Sequence, residues 1–204
     1  MALLRDRWFA WLLRRVSGHH DKMLESRKRE LLGNVSGTVV EVGPGTGANL
    51  RYFPKGIRWI GIEPNQCMHA DLRAEAAEVN MKIELRGGGV EAMELADASV
   101  DCVVATLLLC SVTDAAYCVA EMRRILKPGG RFVFIEHVAA PPGSRLLRVQ
   151  QLITPLWGLI GGGCDPARCT GSVLRNAGFH SIEIEEFNLP AGPAAPHIAG
   201  VAIR

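Results

Sequence analysis

The sequence predicts an α/β fold: a doubly wound, mostly parallel sheet of seven strands, preceded by an N-terminal helical lid. Three observations carry this reading. Short runs rich in Val, Ile, Phe and Trp alternate with stretches of helical periodicity from residue 38 onward, the pattern of strands joined by crossover helices. The first run, Thr38-Val39-Val40-Glu41-Val42, breaks into Gly43-Pro44-Gly45-Thr46-Gly47, a turn whose glycines let a ligand reach the backbone. Polar residues collect where later runs end, at Glu63-Pro64-Asn65 and at Glu136-His137, and sheets of this kind bind ligands at the strands' carboxyl ends.

A chain of 204 residues is long enough for one well-buried domain and too short for two of ordinary size. Within it, residues 1–33 read as a helical cap and 34–204 as the ligand-binding body. Hydrophobic residues at 48% and charged ones at 22% indicate a globular chain, not a disordered one. A formal net charge of +2 gives no global field of the kind that marks a nucleic-acid binder. The charge is uneven, with eight Lys/Arg against four Asp/Glu in residues 1–30. Six cysteines (Cys67, Cys102, Cys110, Cys118, Cys164 and Cys169) show no paired C-x-x-C spacing with histidines, so no metal site is expected. Free thiols, no apolar run of membrane-spanning length and no small-residue cleavage site together predict a cytoplasmic protein.

Residues 2–16 set Leu4, Trp8, Trp11 and Leu12 at helical spacing among Arg5, Arg7, Arg14 and Arg15. The segment reads as a helix packed on the domain, a lid over the site, or a helix lying on an anionic membrane. Its shortness and mixed polar face favour the first two, leaving at most peripheral membrane contact. A second helix is predicted over 21–32, stopped by Gly33-Asn34. A further helix should follow the glycine turn to about residue 53, before Pro54-Lys55-Gly56. Strand two is expected over 57–63, an Ala- and Glu-rich helix over 66–79, and a short third strand over 82–85 before Arg86-Gly87-Gly88-Gly89. An apolar fourth strand spans 100–109 and a helix 114–126, ended by a turn at Lys127-Pro128-Gly129-Gly130. Strand five covers 132–135. A helix broken at Pro155 fits 145–160, a short helix 169–177, and the last two strands 182–187 and 197–203. No internal repeat appears.

Gly43-x-Gly45-x-x-Ala48 also satisfies a dinucleotide fingerprint, with Glu63 about twenty residues on as a ribose-binding acid. Glu41 separates the two readings. Its charge is expected at the mouth of the loop, where it would repel a pyrophosphate and attract the ammonium and sulfonium of S-adenosylmethionine (SAM). Glu-x-Gly-x-Gly-x-Gly followed by a second acidic strand end resembles class I SAM-dependent methyltransferases.

The resemblance covers nearly the whole chain from Met23 onward. Residues 90–101, VEAMELADASVD, and Leu126-Lys127-Pro128-Gly129-Gly130 look like segments of ubiquinone/menaquinone-type methyltransferases. A closer similarity is to the methyltransferase-like thiol S-methyltransferases of vertebrate endoplasmic reticulum. It rests on Glu41-Val42-Gly43-x-Gly45-Thr46-Gly47-Ala48-Asn49, Pro64-Asn65, Thr106-Leu107-x-Leu109-Cys110-Ser111-Val112 and Glu136-His137-Val138-Ala139, then on Gln150-Gln151, Gly163-Cys164 and Pro196-His197-Ile198-x-Gly200. Two departures stand out: those relatives carry a long hydrophobic anchor where this chain has the 2–16 segment, and Gly89 replaces an acid common before the adenine segment. The resemblance implies a Rossmann-like sheet with an antiparallel last strand. It also implies SAM as cofactor, S-adenosylhomocysteine as product, and cofactor contacts from Glu41, Gly43, Pro44, Gly45, Gly47, Asn49, Glu63, Pro64 and Asn65. On the adenine side it points to Gly89, Val90 and Glu91, and beside the methionine moiety to Thr106 and Leu107.

Methyl transfer from a sulfonium is an in-line displacement, so the protein mainly positions two partners and excludes water. Glu63 suits the ribose diol. With Gly89 in place of an acid, the adenine amino group falls to Glu91, a backbone carbonyl or water, and Val90 can pack on the ring. Cys110 can reach the methyl pocket or serve as a buried structural thiol. His137 and His197 stand at strand ends facing one cleft, as structural histidines or as proton carriers. A small-molecule thiol, with pKa near 8.5, needs only modest help to ionise, and no carboxylate–histidine pair or lysine offers the stronger base an alcohol would need. The function expected is S-methylation of a small thiol with Cys110, His137 and His197 as catalytic candidates. The alternative is N- or C-methylation of a phospholipid headgroup or quinone, and a SAM-binding module without catalysis is a third class.

Overall fold

The computed structural model describes residues 2–90 and 93–204. Seven strands form one sheet in the order β3-β2-β1-β4-β5-β7-β6. These are β1 (Thr38–Val42), β2 (Arg58–Ile62), β3 (Ile83–Arg86), β4 (Val100–Thr106), β5 (Leu126–His137), β6 (Ser181–Asn188) and β7 (Pro196–Ile203). All neighbours from β3 to β5 pair in parallel, and β7 runs antiparallel to both β5 and β6. The chain order reverses between β1 and β4, which is where a doubly wound sheet opens a crevice for a ligand.

Alternation along the central strands decides which helix each face receives. Val40, Val42, Val103, Phe132 and Phe134 pack with Cys118, Val119, Met122 and Ile125 of α3 (Ala115–Ile125). The opposite face sets Val39, Trp59, Val104 and Val133 against Leu32 of α1 (Ala2–Leu32) and Leu72 and Ala76 of α2 (His69–Glu78). With both faces covered, the strands can be apolar along their length. Asp114 caps α3 by accepting from the Tyr117 N–H, and Ser144 caps α4 (Arg145–Ile160) by accepting from that of Leu147.

The structure departs from the sequence expectations at four places. The two N-terminal helices are one, α1, running unbroken for 31 residues. Gly18 lies inside it with open space around it, and a mid-helix glycine costs only about 1 kcal/mol. Contacts at both ends outweigh that: Leu24 and Leu32 are fully buried and Arg14 Nε donates to Asp71 at 2.7 Å. No α-helix follows the glycine turn. Residues 45–49 form turns leading to a 3-10 helix, Leu50–Tyr52. The Lys127–Gly130 turn lies inside β5 as a bulge, since Val100 pairs with Leu126 and Cys102 already pairs with Arg131. Finally, α4 continues through Pro155, and next to the missing hydrogen bond Thr154 Oγ1 donates to the Gln150 carbonyl. α5 (Thr170–Arg175) completes the helices named here. Among the described residues, no helix is long and apolar enough to cross a membrane.

Candidate active site

A cavity of about 690 Å³ opens at the carboxyl ends of β1, β2, β4 and β5. Its roof is α1, through Asp6, Phe9 and Leu13. The roof is tied down where Asn65 Nδ2 donates to the Asp6 carbonyl at 3.0 Å and Arg14 donates to Asp71 and the Cys67 carbonyl. Gly43 shows why the loop needs glycine: φ is +67°, and a Cβ there would sit 2.7 Å from Leu108 Cδ1.

Glu63 lies on the cavity wall and is 5% exposed. Its carboxylate accepts from the backbone N–H of Gly45 at 2.9 Å and of Asn65 at 2.8 Å. Burial raises its pKa, and those two N–H groups oppose the rise. The remaining lone pairs suit a vicinal diol. Pro44, Gly45, Pro64, Asn65, Thr106 and Leu107 also line the space.

Glu41 is not where the sequence put it. It does not reach the cavity wall but is buried beneath the loop, accepting from Asn49 Nδ2 at 2.7 Å and Trp59 Nε1 at 3.1 Å. Desolvation pushes it up to about 7, against the pull of those two donors. Asn49, which holds Glu41 from above, is the one of the two that lines the cavity. Its amide N also donates to Thr106 Oγ1 at 3.0 Å, which leaves Oδ1 as a buried acceptor without a partner. An ammonium group entering the cavity finds that lone pair, so the residues present fit SAM with Asn49 in the place expected of Glu41. Gly47, Gly89 and Val90 do not line the cavity either. Val90 is packed in the core, and Glu91 lies outside the described residues.

The far wall is built around Glu136. Beyond Thr106, Leu107 takes φ +55°, a left-handed turn that aims successive N–H groups inward. Those of Leu108 and Leu109 donate to Glu136 Oε1, each at 2.9 Å, and that of Cys110 to Oε2 at 3.4 Å. Glu136 is fully buried and is pushed up to about 7 by that burial. The next residue, His137, faces the cavity. Its Nε2 meets Cys164 Sγ at 2.8 Å, and Trp157 Nε1 donates to the same sulfur at 3.3 Å. Cys164 follows Gly161-Gly162-Gly163, a turn off the end of α4, and the Asp165 N–H bonds the Cys110 carbonyl at 2.9 Å. The ligand atoms of Cys110, His137 and Cys164 thus lie within 4.8 Å of one another. The Cys110 contact, with His137 and Trp157 behind it, lowers the Cys164 pKa, whereas that same contact and burial raise Cys110. Burial pulls His137 down, but its partners outweigh that and the net shift is upward.

His197 pairs with His137 across the β5–β7 ladder, the rings 6.2 Å apart and edge-on. Its Nδ1 meets the Ala195 carbonyl at 2.9 Å and burial pushes its pKa down to about 4, so Nε2 is a lone pair, buried without a partner. All three catalytic candidates therefore reach one cavity. Sequence reasoning missed the pairing of Cys164 with His137 and the supporting role of Glu136. Only the glycine run before Cys164 hinted that the chain turns sharply there.

Residues 40–134 match the methyltransferase domain family. The chain is 36% identical to thiol S-methyltransferase TMT1B of Homo sapiens over 97% of its own length and 86% of the relative's. It is 35% identical to the human thiol S-methyltransferase TMT1A with the same coverage. The solved [4+2]-cyclase SpnF superposes with a TM-score of 0.70 over 90% of this chain and 80% of that one, at 19% identity, a likeness of fold alone.

Proposed function

The chain belongs to the SAM-dependent methyltransferases, and from that premise we propose that it methylates the sulfur of small, apolar thiols. The observation that carries the reading is the soft far wall, where Cys110, Cys164 and His137 meet at the edge of the cavity. SAM would supply an electrophilic methyl group bound to a sulfonium. Glu63 would accept from the ribose hydroxyls. Asn49 Oδ1 would accept from the ammonium, with Glu41 fixing the amide from below. Thr106 and Leu107 would flank the methionine chain, and Pro64 and Asn65 the adenosine.

The acceptor then enters between this cradle and the far wall. Thiols ionise near pH 8.5 in water, so the wall has only to help one proton away. Cys110, His137 and Cys164 are the groups that meet the acceptor, with the His197 Nε2 lone pair beside them. The α1 roof excludes water while the methyl group moves. The relatives' names and the polarisable wall point the same way. The test is incubation with SAM and matched thiols, amines and phenols, reading methylated product by mass. Thiols should be methylated at least ~10-fold faster; a preference for the amine or phenol overturns the assignment.

A further inference from the structure

We infer that Cys110, His137 and Cys164 form a binding site for a soft divalent cation, zinc by preference, whose fourth position opens on the cavity and takes the acceptor thiol as its thiolate. This rests on the thiol reading above and extends it to how the acceptor loses its proton.

Geometry comes first. The Sγ atoms of Cys110 and Cys164 and a ring nitrogen of His137 lie within 4.8 Å of one another. Zinc holds thiolate sulfur at about 2.3 Å and imidazole nitrogen at about 2.0 Å, so tetrahedral ligands stand roughly 3.5–4 Å apart. The trio is already at that scale. The His137–Cys164 contact of 2.8 Å opens slightly to admit an ion, which small side-chain rotations accomplish.

The backbone holds the ligands in advance. Cys110 is set by the N–H groups bound to Glu136. His137 stands at the end of β5, and Cys164 is fixed by the Asp165 N–H on the Cys110 carbonyl. Trp157 Nε1 donates to Cys164 Sγ, the outer-shell N–H that tunes a thiolate ligand.

Donor chemistry then selects the ion. Two thiolates and an imidazole suit zinc and its soft neighbours, and calcium and magnesium prefer oxygen. Three protein ligands with an open fourth position make a catalytic arrangement, since structural zinc sites close all four. All three residues line the cavity, so the open corner faces it. No spacing signal announces such a site, because the ligands come from three separate segments.

The step balances without a further reactant. The acceptor R–SH binds through sulfur and its proton leaves to water. The sulfur lone pair forms the new S–CH3 bond as the sulfonium's C–S bond breaks and its electron pair stays on the departing sulfur. The product is a thioether, a poorer ligand than a thiolate, so it dissociates.

The experiment is metal analysis of the full chain purified under reducing conditions, with titration by Zn²⁺ and by Cd²⁺. We expect about one zinc per chain. Cadmium should give a sulfur-to-metal charge-transfer band of two-cysteine intensity that grows by about half when an acceptor thiol is added. Cys110→Ser with Cys164→Ser should lose the band, and circular dichroism reports whether that variant is folded. Chelation should cut thiol methylation at least ~10-fold, with recovery on Zn²⁺. A reduced wild-type chain that binds neither metal yet methylates thiols overturns the metal site and leaves the thiol assignment standing. A Cys110–Cys164 disulfide in place of bound metal also overturns it. Metal bound with amines methylated and thiols ignored overturns the thiol assignment instead.

Discussion

Glu63 holds two loops with one carboxylate: the glycine turn through the Gly45 N–H and the β2 exit through the Asn65 N–H. In the proposed cofactor site, removing it would cost the ribose its acceptor and slacken both loops. Glu63→Ala should weaken SAM binding by ~1–3 kcal/mol, the range for losing the partner of a buried hydrogen-bonding group. Calorimetry checks it, and unchanged affinity would remove Glu63 from the cofactor site. At this scale the sequence is legible where a residue's job is written in its neighbours. Glu63, between a β-branched run and Pro64-Asn65, is such a case. Glu41 is not, because whether a side chain rises to the ligand or points into the protein depends on what lies beneath. Here that is Trp59 and Asn49, neither adjacent to it in sequence. Cys164 is illegible for the same reason: His137 and Cys110, the groups it meets, are each more than twenty residues away along the chain.

Among the elements, α1 is the one whose continuity the sequence concealed. A glycine in mid-helix reads as a break, but tertiary contacts decide. Since a Cβ at Gly18 would meet nothing within 4 Å and φ is unremarkable, Gly18→Ala should stabilise the protein by about 0.5–1 kcal/mol, seen as a higher melting temperature. If the roof bends at Gly18 to admit the acceptor, the same variant should lower kcat while melting later; destabilisation would mean that the helix needs the glycine. The glycine-loop segment fails in the opposite direction. Its composition permits a helix, but anchoring Asn49 to Glu41 and Thr106 draws the backbone into turns. Elements whose pattern is set by burial on both faces, β1, β2, β4 and α3, were readable to within a few residues.

The whole molecule carries an electrostatic cost of its design. Glu41 ionises at about pH 4.5 when exposed and at about 7 when folded, because burial disfavours the charge. The folded chain therefore binds the extra proton between those values, and stability from this group is full below pH 4.5 and lost as pH rises through 7. The loss is roughly 3 kcal/mol. Urea unfolding should accordingly show the wild type losing stability from pH 5.5 to pH 8 by more than Glu41→Gln does. The variant also starts lower, since the amide NH2 faces one of two donors. Parallel pH profiles for the two proteins would show that Glu41 is not the group responsible.

The antiparallel course of β7 has a consequence for the protein's own synthesis. Because it runs against β5, its first residues return to the cavity, which sets His197 beside His137. The roof of the cavity thus comes from α1, and the last residue to join its acceptor end is His197 on β7. A chain that has emerged only through β6 has the cavity residues of β1, β2, β4 and β5 together with Cys110, His137 and Cys164, yet lacks the strand that seats β6 against the sheet. Without β7 the sheet edge beyond β5 is unpaired and His137 loses His197 as its neighbour, so the acceptor side is completed last.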